Sequence, residues 1–305
     1  MKRTVFCLIV VLLLLLMMFP FSTALIENKT IYVDDDDNID GPWDGTIEHP
    51  YNEIQNAINA ANDGDTVFVF EGIYKQIGVL GKNIEIIGED NKSTIIEPQG
   101  SARVVCWFSN SDLTLKNFCI RKGLEYGVYI SEGGFNTISD NIIDSNDVGI
   151  LIYGSNDNII ENNIISNSKN CGISISSCNR NIIEHNIISN TTGICGISIF
   201  EIRNSLIKNN NIINNKCGIN VYWEKSRQMF TDMNRIIDNN FKDNSIHAGI
   251  SADWSSVVYT QFFHNYWGQP RIFPKIIWAI DPWGNIGFMP CNIDFYPALL
   301  PIINC

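Results

Sequence analysis

The chain has 305 residues, 45% of them apolar and 18% charged, with a formal charge of −12 from 33 acidic and 21 basic side chains. That balance excludes a nucleic-acid partner, because a phosphate backbone demands clustered Lys and Arg, and the wealth of Ile and Phe excludes a disordered chain. Nine cysteines are too few for a disulfide scaffold but raise the question of redox compartment.

Lys2 and Arg3 precede an unbroken apolar run, Val5 to Phe19, followed by Pro20 and Ser22-Thr23-Ala24. A basic start, a short apolar core and a small-x-small site read as a secretory signal peptide over residues 1–24. Cleavage after Ala24 takes the formal charge from −12 to −14, because Lys2 and Arg3 are lost. The expected location is outside the cytoplasm: secreted, at the cell surface or periplasmic. No second apolar stretch of spanning length comes later, so no membrane span is expected after cleavage.

Residues 25–64 read as a strand, an acidic loop and a helix. The strand starts near Ile31. In the loop, Asp36-x-Asn38-x-Asp40-Gly41 matches the first half of an EF-hand, which makes Asp34, Asp36, Asn38 and Asp40 candidate Ca2+ ligands. The match fails at its twelfth position, where a bidentate acid is needed and Ile47 stands. A solvated acidic entry to the first strand is the competing expectation. From Pro50 to Asn62, Ile54, Ala57, Ile58 and Ala61 fall at helical spacing, a helix expected to cover the open end of the repeats after it.

A repeat governs residues 65–267. Gly127-Val-Tyr-Ile is followed by Asn136-Thr-Ile-Ser-Asp-Asn141-Ile-Ile, and the pattern returns from Gly149, Gly172, Gly196, Gly218 and, degenerately, Gly249. The first four glycine-to-glycine steps are nearly equal, and the longer last one, from Gly218 to Gly249, holds an insertion around Trp223 to Met233. Short alternating strands at a period of roughly 22–24 residues predict an all-β parallel solenoid, whose coils bury apolar residues only by stacking. Three inward columns are expected. They are Ile150, Ile173, Ile197, Ile219 and Ile250; Ile152, Ile175, Ile199, Val221 and Ala252; and Ile138, Ile160, Ile183, Ile207, Ile236 and Val258. Asn141, Asn163, Asn186, Asn210 and Asn239 recur at turns, where Asn tolerates left-handed backbone angles and stacked amides form ladders. Cys171, Cys195 and Cys217 each precede a repeat glycine, in a column with Tyr126, Val148 and Ala248, and alternation places these thiols inward as core filling.

Two outward columns carry chemistry. Glu161, Glu184 and Lys208 follow Ser139 in one of them, with His185 beside Glu184. Adjacent carboxylates suit glycoside hydrolysis, and a nearby Lys or His suits proton abstraction; solvated charges on a polar turn are the competing reading. The other column is Ser131, Tyr153, Ser176, Phe200, Tyr222 and Asp253, with Trp223 and Trp254 beside its end. Tyr153, Phe200, Tyr222, Trp223 and Trp254 are the candidate carbohydrate-binding residues, flat faces on which sugar rings stack. Packing under the insertion or the tail is the alternative. His49, His185, His247 and His264 show no mutual ligand spacing. Residues 268–305, with six prolines, read as a C-terminal capping tail, where Cys291 and Cys305 are the candidate disulfide of an oxidising compartment.

Several motifs carry a family resemblance. Ile31-Tyr-Val-Asp-Asp, the helix Ile54-Gln-Asn-Ala-Ile-Asn-Ala-Ala and Gly64-Asp-Thr-Val resemble the N-terminal cap of pectin-lyase-like right-handed β-helix proteins. The Asn-Ile-Ile repeats resemble NosD-type proteins and the CASH group of carbohydrate-binding proteins and sugar hydrolases, and Asn265-Tyr-Trp-Gly268 is similar to a motif that closes such repeats. The resemblance implies a single-stranded, right-handed parallel β-helix and contact with polysaccharide. It does not decide between glycan binding, carbohydrate-active catalysis and an accessory role, since one architecture hosts them all. The Asn-Thr-Asp and Gly-His-Gly strings of polygalacturonase-like enzymes are absent, and the copper association of NosD-type names finds no support in the four histidines.

Overall fold

A computed structural model describes residues 28–36, 41–100, 102–223, 233–252, 260–269, 273–280, 286–294 and 297–298. The signal segment, Asn38, Asp40, Trp254, Val258 and Cys305 lie outside the described residues, as do the side chains of Trp223 and Cys291.

The chain winds as a right-handed parallel β-solenoid of about eight coils. Each coil contributes one strand to each of three sheets of ten, ten and eight strands. One coil shows the pattern. Ile159–Glu161 lies in the first sheet, Ile164–Ser166 in the eight-stranded sheet and Cys171–Ser176 in a sheet of longer strands. Every strand then pairs in parallel with its equivalent one coil on, so Ile160 stands over Ile183 and Ile173 over Ile197. Period-two alternation sends one set of isoleucines inward. Ile138, Ile160, Ile183, Ile207 and Ile236 are all fully buried, and so are Ile150, Ile173, Ile197 and Ile219. At the start, Thr30–Val33 adds a strand beyond Thr66–Val69, and the helix Ile54–Ala60 buries Ile54, Ala57 and Ile58 in the same core. Among the described residues, no helix is long and apolar enough to cross a membrane.

Asparagine ladders hold the corners. Asn141, Asn163, Asn186, Asn210, Asn239 and Asn265 are buried, and each from Asn163 onward presents its Oδ1 to the backbone N–H and side-chain amide of the asparagine one coil earlier. The ladder is as expected, but the left-handed residue is its predecessor. Asp140, Asn162, His185, Asn209, Asp238 and His264 have φ of 54–57°. Turning the chain one residue early aims the ladder amide inward, where it satisfies the carbonyls of the corner.

Two further expectations are corrected. The Cys171, Cys195 and Cys217 column is buried but does not fill the core; with Val148 it forms a separate cluster, packed against Tyr126, Leu151 and Ile246. The reason lies in the glycine after each cysteine. A Cβ on Gly172 would stand 2.6 Å from Cγ2 of the core residue Ile188 and 2.7 Å from the Gly196 carbonyl oxygen. Gly172 and Ile173 thus both face the core, alternation breaks between them, and the preceding cysteine turns to the outer side of the sheet. Replacing Gly172 by alanine is expected to cost about 1–3 kcal/mol through overpacking against a carbonyl that cannot yield, measurable as a lower urea midpoint.

The last coil is also out of the expected register. Ile219 pairs with Ala248, Val221 with Ile250, Tyr222 with Ser251 and Trp223 with Ala252. Cys217 pairs with Ile246, so Ala248 leaves the cysteine column and Ser251 replaces Asp253 in the aromatic one. Ile236 pairs with Phe262 rather than Val258. Insertions shift the coil, and Gly249 is not the counterpart of Gly218. Beyond it, Trp267 stacks on Phe241 with centroids 4.7 Å apart and closes the core. Lys275–Ile280 and Ile286–Asp294 then pair antiparallel and extend the long-strand sheet.

Candidate functional site

Two outer faces gather the candidate residues. At the corner where the chain leaves the first sheet, Ser139, Glu161, Glu184 and Lys208 stand in register on successive coils. Lys208 Nζ lies 2.8 Å from Glu184 Oε2, and His185 Nδ1 lies 3.4 Å from the same oxygen. His185 Nε2 faces Asn209 Nδ2 at 3.4 Å. Glu184, His185 and Lys208 therefore meet, with Glu161 one coil away. His185 sits there because the left-handed corner accepts Asn, Asp and His most readily. The outer positions two residues before Glu161, Glu184 and Lys208 are Ile159, Ile182 and Leu206, so the charges stand beside an apolar stripe at a turn.

The outer face of the long-strand sheet is of a different kind. Seven consecutive strands, Ile77–Leu80, Val104–Ser109, Tyr126–Ser131, Val148–Tyr153, Cys171–Ser176, Cys195–Phe200 and Cys217–Trp223, contain no Asp, Glu, Lys, Arg or His. In one outward column Ser131, Tyr153, Ser176, Phe200 and Tyr222 follow one another in register, as expected. Phe200 and Tyr222 stack with centroids 5.0 Å apart and 20° between planes, while Tyr153 is 53% exposed. The neighbouring column is Trp107, Tyr129, Leu151, Ser174, Ser198 and Asn220. Trp107 is 38% exposed, and Tyr129 packs against Tyr126 at 5.4 Å. This second column is not among the sequence candidates. Its signal is the second position after each repeat glycine, one alternation step before the column already named. Together the two columns make a strip of rings and hydroxyls running along the solenoid axis, with Asn220 buried at its end.

At the acidic loop, Asp34 Oδ1 accepts from the Asp36 backbone N–H at 3.2 Å, and burial pushes the Asp34 carboxyl upward. Asp35 Oδ2 accepts from the Ile73 backbone N–H at 2.8 Å. These carboxylates brace the start of the first coil.

The family model described as periplasmic copper-binding protein (NosD) matches residues 58–272. The chain belongs to the NosD family. Among solved structures, this NosD-family chain is similar to XylC in complex with xylose, with 12% identity and a TM-score of 0.52 over 78% of this chain and 65% of that one. It is similar to the tailspike protein gp49 of Acinetobacter baumannii bacteriophage Fri1, a capsular polysaccharide depolymerase, with 9% identity and a TM-score of 0.52 over 79% of this chain and 55% of that one. At such identities the likeness is one of fold. The chain spans 51% and 65% of the length of the first two structures it matches. No curated protein matches it at a significant level.

The family description names copper, and the donor set tests that name. His185 and His264 share one corner column but stand three rungs apart, about 14 Å at parallel-strand spacing. His264 Nδ1 is engaged with Asp238 Oδ1 at 2.6 Å. Among the described residues, no group of three or more His, Cys, Asp or Glu is arranged to hold a metal ion. A copper centre built from histidines and carboxylates does not fit these residues.

Proposed function

We propose that this chain is an exported protein that binds a neutral polysaccharide lying along the outer face of the long-strand sheet. The observation that carries the reading is the absence of acidic, basic and imidazole side chains from seven successive strands of a chain whose net charge is −12. Trp107, Tyr129, Tyr153, Phe200 and Tyr222 offer rings for the C–H surfaces of sugars, and Ser174 and Ser198 offer hydroxyls that hydrogen-bond those of a glycan. A polyanion would meet the negative field of the whole molecule. The N-terminal segment and the periplasmic description of the family support an extracytoplasmic setting. A xylose complex and a capsular polysaccharide depolymerase among the similar folds agree with the reading without carrying it.

The test is a glycan array run beside a reducing-sugar release assay. Tyr153 and Trp107 are the exposed rings, so replacing both by alanine spares the core. The double variant is expected to bind neutral glycans at least ~10-fold more weakly, about 1.4 kcal/mol. Wild-type binding by this variant, or binding confined to anionic glycans, sinks the reading. Sugar release that disappears on Glu184→Gln would move the function to the charged corner.

A further inference from the structure

A cavity of about 450 Å³ opens on the outer side of the first sheet, where the strands Thr66–Val69, Glu85–Gly88 and Thr114–Lys116 begin. That volume is within the range of small-molecule sites. Its floor is a column in register: Thr66 pairs with Glu85, and Glu85 with Thr114. All three point outward, because the residues that follow them, Val67, Ile86 and Leu115, are fully buried. From the turns before these strands Asn83 and Asp112 reach the same cavity, and the Asp112 backbone N–H donates to Asn83 Oδ1 at 3.3 Å. Asn28 closes one side by lying against Gly64, where a Cβ would stand 2.5 Å from Asn28 Oδ1. Gly64 has φ of 90°, a backbone state that glycine adopts freely.

The remaining wall is Phe135, and nothing in the fold calls for a phenylalanine there. Its side chain is 68% exposed, so it adds little to the core. Its φ is 58°, and the equivalent corner positions on the next three coils, Asp157, Arg180 and Asn204, hold polar residues in the same left-handed state. A bulky ring is disfavoured in that state, whereas Asn and Asp accept it. An exposed ring held against backbone preference at the edge of a cavity points to a ligand.

The lining sets the ligand's chemistry. Glu85 and Asp112 are exposed carboxylates, and among the described residues no Lys, Arg or His lines the cavity. A positive charge on the ligand is therefore favoured, the more so in a chain of net charge −12. The hydroxyls of Thr66 and Thr114 and the amides of Asn28 and Asn83 suit a ligand rich in hydroxyls. The Phe135 ring suits both the C–H face of a sugar and an ammonium group. A neutral sugar would leave the two carboxylates unneutralised, and a simple amine would leave the hydroxyls and amides unused.

We propose that this cavity binds a protonated amino sugar, its ammonium paired with Glu85 and Asp112 and its ring against Phe135. The site is separate from the ring-lined face of the long-strand sheet and is independent of the neutral-glycan reading.

The experiment is an NMR titration of the full chain with the β-1,4-linked disaccharide of glucosamine, its N-acetylated form and the matching glucose disaccharide, at mildly acidic pH where the amines are protonated. The amine form is expected to bind at least ~10-fold more tightly than either of the others. Glu85→Gln/Asp112→Asn should remove that preference. Phe135→Asn, which fits the left-handed backbone better than phenylalanine, should weaken binding at least ~10-fold without lowering the urea midpoint, so that loss of binding is not loss of fold. Glu71→Gln/Asp243→Asn removes two exposed carboxylates elsewhere and should leave binding intact. The proposal is overturned if the wild type takes up none of the three sugars, if the three bind alike, or if Glu85→Gln/Asp112→Asn keeps the wild-type affinity for the amine form.

Discussion

Replacing Asn186 by leucine is expected to destabilise the protein by on the order of 3–5 kcal/mol, because several buried polar groups lose their partners at once. Asn186 is fully buried. Its Oδ1 accepts from the Asn163 backbone N–H at 2.9 Å and from Asn163 Nδ2 at 3.0 Å. Its own Nδ2 donates to the carbonyls of Ile160 at 2.8 Å and Glu184 at 2.9 Å, and to Asn210 Oδ1 at 3.0 Å. Leucine is of similar size but neither accepts nor donates. The measurement is equilibrium urea unfolding of the variant beside Asn56→Leu. Asn56 is exposed on the helix, and its replacement should stay within about 0.5 kcal/mol. A loss below ~1 kcal/mol at Asn186 would mean that the ladder is incidental to packing. The double variant with Asn163→Leu should cost less than the sum of the two, since both remove the same bonds.

The ladder also shows what in this molecule is legible from its residues. A near-constant interval between repeat glycines leaves a solenoid as the architecture, and the isoleucine columns follow because one-coil steps preserve alternation. The Glu161, Glu184 and Lys208 column and the Tyr153, Phe200 and Tyr222 column follow by the same logic. Alternation fails where backbone geometry departs from a plain strand. A glycine that faces the core directly before an isoleucine reverses the cysteines, and that reversal depends on the closeness of Ile188 to Gly172, which no spacing encodes. The final coil slips because glycine identity marks the coil only while no insertion intervenes. Trp107 lies in a coil without the repeat glycine, so the period does not reach it. Its place on the ring-lined face emerges only when Tyr129 stands above it. The ring-lined face and the cysteine column are thus products of register, readable once each coil is threaded.

The end of the longest ladder yields the second large effect. Asn265 has no asparagine beyond it; the carboxylate of Asp294, buried and brought back by the C-terminal hairpin, takes that place. Asp294 Oδ2 accepts from the Asn265 backbone N–H at 3.0 Å, Asn265 Nδ2 at 3.3 Å and Trp267 Nε1 at 3.1 Å, while Oδ1 accepts from the His264 backbone N–H at 3.2 Å. Asp294→Ala leaves these donors buried and unmet, at a cost on the order of 3 kcal/mol or more. Asp294→Asn separates charge from acceptor geometry. Its amide oxygen keeps the three bonds on the Oδ2 side, and its amide nitrogen turns a donor toward the His264 N–H, so the cost falls to about 1–2 kcal/mol. A solenoid frays from its ends. In Asp294→Ala, amide hydrogen exchange should therefore rise first in Gln261–Phe263 and Arg235–Ile237, while Ile182–Glu184 stays protected. Equal loss from alanine and asparagine would make the carboxylate's charge, rather than its continuation of the ladder, the stabilising property. Exchange rising uniformly along the chain would show that the hairpin is not what closes this end.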